Sequence, residues 1–311
     1  MLPYFLLFLG LAILLYGGKI LVDGATGIAL KLGMSSGLIG ITIVAFGTSA
    51  PELLVSVNAA LKGNSDISIG NVVGSNIANI GLVLGISGLF YPILIKRSVL
   101  RFDYVATLLV TLLFYGLSYN GRISLWEGII LFSGFVLLNW YLFKSSTYGG
   151  MDESSVEEIE GVKDHNWIIT ITLLLGGIVG LYIGSELLVN NAILISRKFG
   201  VSERVIGITI IAIGTSLPEL ITSIIAALAK KTDMAIGNIL GSNMMNILSI
   251  IGITAIINPI DVSPEFIRED YLWMIGFVVI LLPLMLIKRK ISRIEGLVLL
   301  IGYTAYMIYL L

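Results

Sequence analysis

Apolar runs long enough to cross a bilayer alternate with short polar breaks along the whole chain. A helix needs about 20 apolar residues to span the hydrocarbon core. Stretches of that kind lie at 2–22, 36–61, 66–92, 102–119, 125–143, 167–190, 204–229, 234–258, 270–287 and 292–310. Breaks such as Tyr119-Asn120-Gly121 and Asn258-Pro259 carry turn residues. The one long polar interruption is 144–166. The pattern predicts an all-α membrane protein of ten transmembrane helices. The apolar N-terminus lacks a basic flank and a small-residue cleavage site, so it reads as a retained first helix rather than a signal peptide.

The two halves repeat. Ile39–Ile86 aligns with Ile206–Ile253 without a gap, at an offset of 167 residues and with 27 identities in 48 positions. The same offset pairs Gly17 with Gly184, Leu21 with Leu188, Val22 with Val189, Gly33 with Gly200 and Ser35 with Ser202. The expected division is a first five-helix repeat over 1–143, an acidic cytoplasmic linker over 144–166, and a second five-helix repeat over 167–311. An odd number of helices sends the second copy into the membrane from the opposite side. Inverted repeats of this kind build many secondary transporters, with the substrate held near the midplane between the halves.

Composition agrees. The chain is 57% hydrophobic and 13% charged, with mean hydropathy +0.99, where soluble domains carry about 25% charged residues. A net charge of −1 offers no basic footprint for nucleic acid. The absence of cysteine excludes disulfides and thiolate metal sites, and His165 alone cannot make a histidine cluster. With the N-terminus outside, the inner loops hold Lys31, Lys96, Arg97, Arg101, Lys144, Lys163, Lys230, Lys231, Lys288, Arg289, Lys290 and Arg293. The outer loops hold Lys62, Arg122, Arg197, Lys198, Arg204 and Arg268. This bias predicts extracellular termini and a cytoplasmic 144–166 segment in the cell membrane. The carboxylates there (Asp152, Glu153, Glu157, Glu158, Glu160 and Asp164) read as a solvated linker, because they lack the alternating ligands and turn glycine of a calcium loop.

Two motifs carry chemistry. Gly47-Thr48-Ser49-Ala50-Pro51-Glu52 recurs as Gly214-Thr215-Ser216-Leu217-Pro218-Glu219, each in the middle of an apolar stretch. A carboxylate at that depth costs several kcal/mol unless it meets a partner or a cation. Two at equivalent depth repel unless a divalent ion or protons neutralise them. Pro51 and Pro218 each remove a helix N–H and displace the carbonyl four residues back. Freed carbonyls, hydroxyls and two carboxylates make an all-oxygen set suited to hard cations. The second motif is Gly70-Asn71-Val72-Val73-Gly74-Ser75-Asn76-Ile77-Ala78-Asn79. Its copy is Gly237-Asn238-Ile239-Leu240-Gly241-Ser242-Asn243-Met244-Met245-Asn246. Ser75 shares a helix face with Asn79, and Ser242 with Asn246. Taken singly, glycine, serine and threonine in membrane helices ordinarily serve packing, and a kink proline is ordinarily structural. The same polar set appearing twice, in register, around buried glutamates is hard to explain by packing alone. Glu127 and Glu295 each follow a serine by three residues, Ser124 and Ser292, and read as capping boxes. Lys19 and Glu186 occupy equivalent repeat positions near helix ends and read as snorkelling or structural charges.

Over nearly the whole chain these motifs resemble the sodium/calcium exchanger branch of the calcium/cation antiporter superfamily, in its prokaryotic form. The resemblance implies broken second, third, seventh and eighth helices around four cation sites, with the first and sixth helices sliding across them. By position it implies Glu52 and Glu219 as ligands shared by calcium and sodium. Thr48 and Thr215 would give backbone carbonyls to calcium. The Ala45 and Ala212 carbonyls, Ser49, Ser216, Ser75 and Ser242 would line sodium sites, with Asn79 and Asn246 at the centre. Potassium-dependent relatives carry aspartate where Asn246 stands, which argues against potassium dependence here.

The expected function is exchange of sodium for calcium by alternating access, electrogenic at the ratio the resemblance implies. The alternatives are a calcium/proton antiporter, whose usual glycine-asparagine-alanine-glutamate motif is absent, and a cation channel. No nucleophile or metal cluster suggests an enzyme. The expected partners are calcium and sodium ions and the lipid bilayer. No cofactor and no nucleic acid are expected, and the chain is expected to work as a monomer.

Overall fold

The structure is a computed structural model that describes residues 2–149, 165–200 and 212–310. It is all-helical apart from four two-residue strands. Chain order gives α1 (Leu2–Leu32), α2 (Ser36–Thr48), α3 (Ala50–Leu61), α4 (Ser65–Phe90), α5 (Val99–Ser118) and α6 (Leu125–Gly149). It continues with α7 (Trp167–Lys198), α8 (Ala212–Thr215), α9 (Leu217–Leu228), α10 (Thr232–Ile257), α11 (Phe266–Leu286) and α12 (Arg293–Leu310). Eight of the described helices are long and apolar enough to cross a membrane, and the bent pair α2–α3 makes a ninth. Of the expected span 204–229, residues 204–211 lie outside the described residues. Helix α6 runs on to Gly149, so the first residues of the expected linker are helical. The linker's residues 150–164, with their carboxylates, also lie outside the described residues.

The sequence repeat reappears in the backbone. A wide, π-helical turn at Asn79–Leu84 in α4 recurs at Asn246–Ile251 in α10, and one at Val99–Asp103 recurs at Phe266–Asp270. The strands β1 (Ile93–Leu94), β2 (Arg122–Ile123), β3 (Ile260–Asp261) and β4 (Lys290–Ile291) pair antiparallel as β1 with β4 and β2 with β3. Ile93 faces Ile291 in one ladder as Ile260 faces Ile123 in the other. Each half thus clasps the other through the same two loops. Strands β2 and β4 lead into α6 and α12, where the glutamate of each expected capping box reaches back to the serine N–H. The Ser124 N–H donates to Glu127 at 2.6 Å and the Ser292 N–H donates to Glu295 at 2.9 Å.

Helices α4 and α10 are the most enclosed of the apolar helices. Helices α1 and α7 lie against each other along their length, with backbone touching backbone. A Cβ added to Gly24 would meet the Leu174 nitrogen at 2.5 Å, and one on Gly184 would meet the Leu14 nitrogen at 2.5 Å. In lipid, such contact between small residues replaces hydrophobic burial as the source of helix association.

Candidate functional site

The two proline motifs break their helices at the same residue. Ser49 (φ −86°, ψ 6°) ends α2 and opens α3, and Ser216 (φ −88°, ψ 7°) ends α8 and opens α9. Pro51 and Pro218 sit in the first turn of the new helix, where a missing N–H costs nothing. The α2–α3 axis bends by 45° at the break, as proline kinks do. Glu52 and Glu219 therefore occupy first turns of helices that begin in the interior. The positive end of the helix dipole there favours a carboxylate. Both are 1% exposed.

The residues around them come from both repeats. The Ser49 hydroxyl donates to Glu219 Oε1 at 2.9 Å, and the Ser242 hydroxyl lies 3.5 Å from the same oxygen. The Thr48 hydroxyl donates to Asn238 Oδ1 at 3.2 Å and approaches Ser242 at 3.5 Å. The Ala45 carbonyl accepts from the Ser49 N–H at 3.0 Å and from the Thr48 hydroxyl at 3.3 Å. Thr215 is half-buried beside the break, and Ala212 opens α8. Ser75, Asn79, Ser216 and Asn246 are all buried.

Several of these oxygens have no hydrogen-bond partner among the described residues. They are both Glu52 carboxylate oxygens, Glu219 Oε2, the Ser75 and Ser216 hydroxyls, and Oδ1 of Asn79 and of Asn246. Buried polar atoms are ordinarily paired. A group of unpaired oxygens around two carboxylates is the donor set that a hard, oxygen-seeking cation takes up. No cluster of three or more histidine, cysteine, aspartate or glutamate residues occurs among the described residues. Neutral hydroxyl and amide oxygens must therefore complete any coordination.

The second motif builds a floor that sequence reading did not assign. The Asn76 side chain donates to the Asn243 carbonyl at 3.2 Å, and the Asn243 side chain donates to the Asn76 carbonyl at 3.3 Å. Asn79 Nδ2 donates to Asn243 Oδ1 at 3.1 Å, and Asn246 Nδ2 donates to Asn76 Oδ1 at 3.0 Å. These four reciprocal bonds tie α4 to α10 and aim the unpaired oxygens of Asn79 and Asn246. Both of those residues open a π-helical turn, a feature frequent at functional sites. Asn71 also donates to the Ser56 hydroxyl at 2.9 Å and Asn238 to Ser223 at 3.0 Å. The signal for Ser56 and Ser223 was their spacing of four from each glutamate, which puts them on its helix face. Asn243→Leu is expected to strand the Asn79 amide and the Asn76 backbone carbonyl. Each such loss costs about 1–3 kcal/mol. The thermal midpoint in detergent, followed by tryptophan fluorescence, should fall clearly, and an unchanged midpoint would mean that the network adds nothing to stability.

A family model described as sodium/calcium exchanger protein matches residues 2–144 and 169–311, which is nearly the whole chain. The chain belongs to the sodium/calcium exchanger family. The candidate antiporter CaxA of Alkalimonas amylolytica is 40% identical over 304 residues, covering 96% of this chain and 95% of that protein. The sodium/calcium exchanger MaX1 of Methanosarcina acetivorans is 32% identical, covering 99% and 98%. Among solved structures, the sodium-calcium exchanger NCX_Mj soaked without sodium and calcium superposes with a TM-score of 0.85 at 30% identity, covering 100% of this chain and 99% of that one. Membership fits a multi-pass membrane transporter, in agreement with the apolar helices.

Proposed function

We propose that this protein exchanges sodium for calcium across the cell membrane by alternating access around Glu52 and Glu219. The observation that carries the reading is the set of unpaired, buried oxygens on the two glutamates and on Ser75, Ser216, Asn79 and Asn246. Two carboxylates are balanced by one calcium ion, or in part by several sodium ions that also use Ser49, Ser75, Ser216, Ser242, Asn79, Asn246 and the carbonyls of Ala45, Thr48, Ala212 and Thr215. Calcium and sodium then compete for one site, and competition with alternating exposure is exchange. Without a cation the two charges repel in a medium of low dielectric, which disfavours the conformational step. With three sodium ions per calcium, each cycle moves net charge.

The architecture in this reading is ten transmembrane helices in two inverted five-helix repeats, 1–143 and 167–311. Segment 144–166 is cytoplasmic, both termini are extracellular, and one chain is the transporting unit. The reading is supported by the recurrence of strands, π-helical turns and broken helices in both halves, and by the similarity to exchangers along the full length.

The test is uptake of radiolabelled calcium into proteoliposomes loaded with sodium, with potassium, or with a proton gradient. Uptake driven by internal sodium alone is expected. Uptake driven by a pH gradient without sodium would make the protein a calcium/proton antiporter, and uptake indifferent to the counter-ion would make it a channel.

A further inference from the structure

A cavity of about 540 Å³ opens between α3 and α7, on the face that carries the turn at 62–64. Its floor includes Pro51, Gly214 and Thr215, so it reaches the helix breaks beside both glutamates. The Ser185 hydroxyl donates to the Gly214 carbonyl at 2.9 Å across that floor. Glu186 follows Ser185 directly, is exposed, and lines the cavity with Asn190, whose side chain donates to Glu186 at 3.0 Å. Glu186 has no salt-bridge partner among the described residues. Lys62, on the turn at the rim, is the cavity's other charged group. A carboxylate beside lipid would be costly, so this polar wall marks a cavity that holds water.

The repeat-equivalent positions are packed shut. Gly18, the counterpart of Ser185, lies against Ile221 and Ile225, where an added Cβ would meet their side chains at 2.8 and 2.9 Å. Those isoleucines are the counterparts of Leu54 and Asn58, which line the open cavity. Lys231 donates to the Thr26 hydroxyl at 2.7 Å, at the counterparts of Asn64 and Ile193, which also line it. The structure is therefore open on one face and closed on the other. Glu186 in the open cavity corresponds to Lys19 in the other repeat, and Asn190 beside it to Asp23, so the carboxylate sits at a different position on each face.

We propose that Glu186 draws cations into this cavity on their way to the paired glutamates. The role rests on the exchange reading. It follows from position: Glu186 stands next to Ser185 at the floor, whereas Lys62 lies out on the turn at the rim. Low-dielectric walls focus the field of such a carboxylate and raise the local concentration of cations near it. Glu186 acts on arrival, so it changes KM rather than the saturated rate.

The chain has no cysteine, so Glu186→Cys introduces a single thiol. In sodium-loaded proteoliposomes at low ionic strength, this variant is expected to raise the calcium KM roughly three- to tenfold. Glu186→Gln, which keeps shape at an exposed position, should do the same. A membrane-impermeant methanethiosulfonate that attaches a sulfonate should return KM toward the wild type, and one that attaches a quaternary ammonium should raise it further. High salt should shrink all of these differences. A KM that does not follow the sign of the attached charge overturns the role of Glu186 and leaves exchange standing. Absence of sodium-dependent uptake in the wild type overturns both.

Discussion

Glu219→Gln is expected to lower sodium-driven calcium uptake by at least about two orders of magnitude, because calcium affinity is set largely by the number of charged ligands. The substitution keeps the volume of the side chain and its place in the first turn of α9. It replaces a carboxylate oxygen that accepts from Ser49 at 2.9 Å and removes half of the negative charge at the site. The remaining charge on Glu52 cannot balance a divalent ion in a medium that penalises uncompensated charge. Glu52→Gln is expected to be as severe, although its carboxylate makes no hydrogen bond among the described residues. That contrast separates a ligand from a structural partner. Loss of function on removing an oxygen that no protein group binds points to a cation as its partner. Ser49→Ala gives the scale for a single neutral donor: the loss of one charge-assisted bond, worth about 1.5–3 kcal/mol. Uptake within twofold of the wild type in either glutamine variant would sink the site assignment.

Much of this site was legible because it is written twice. A glutamate in an apolar stretch after Gly-Thr-Ser-x-Pro is unusual once, and its recurrence 167 residues later marks the two as a pair. The helix breaks were readable for the same local reason, since proline displaces the carbonyl four residues back wherever it stands in a helix. What joins the halves was less readable. The reciprocal bonds of Asn76 and Asn243 connect residues 167 apart, and nothing local distinguishes an asparagine that braces from one that offers an oxygen to an ion. The wide turns that begin at Asn79 and Asn246 likewise leave no mark in the residue types. Least legible was the difference between the copies. Ser49 reaches Glu219, whereas its counterpart Ser216 has no partner among the described residues. Thr48 is locked against Asn238, whereas Thr215 faces a cavity. Near-identical motifs cannot say which copy is open, because that is a property of the conformation rather than of the sequence.

Gly241→Val is expected to be the most damaging change outside the glutamates, and its effect should appear in both stability and uptake. An added Cβ at Gly241 would stand 2.5 Å from the Ile41 carbonyl oxygen and 2.7 Å from its Cα. At Gly237, one turn earlier, the nearest atom is the Gly37 carbonyl oxygen at 2.5 Å. These are backbone atoms, which cannot rotate away, so α2 must move off α10 as a unit. Overpacking of this kind costs about 1–3 kcal/mol, with alanine at the lower end and valine at or above the upper. The functional cost follows from what α2 carries. Thr48 bonds Asn238 across the interface that the glycines hold closed, and Ser49, at the end of α2, bonds Glu219 on α9. A shift of about an ångström at Gly241 would stretch the Thr48–Asn238 bond and, through the end of α2, draw the Ser49 hydroxyl away from Glu219. The thermal midpoint in detergent and the initial rate of sodium-driven calcium uptake together decide the matter. A lowered midpoint and a rate reduced by about tenfold or more in Gly241→Val, with Gly241→Ala between it and the wild type, is the expected result. A variant that folds with an unchanged midpoint and transports normally would show that the contact between α2 and α10 is looser than these distances require, and that the hydroxyls of Thr48 and Ser49 do not depend on it.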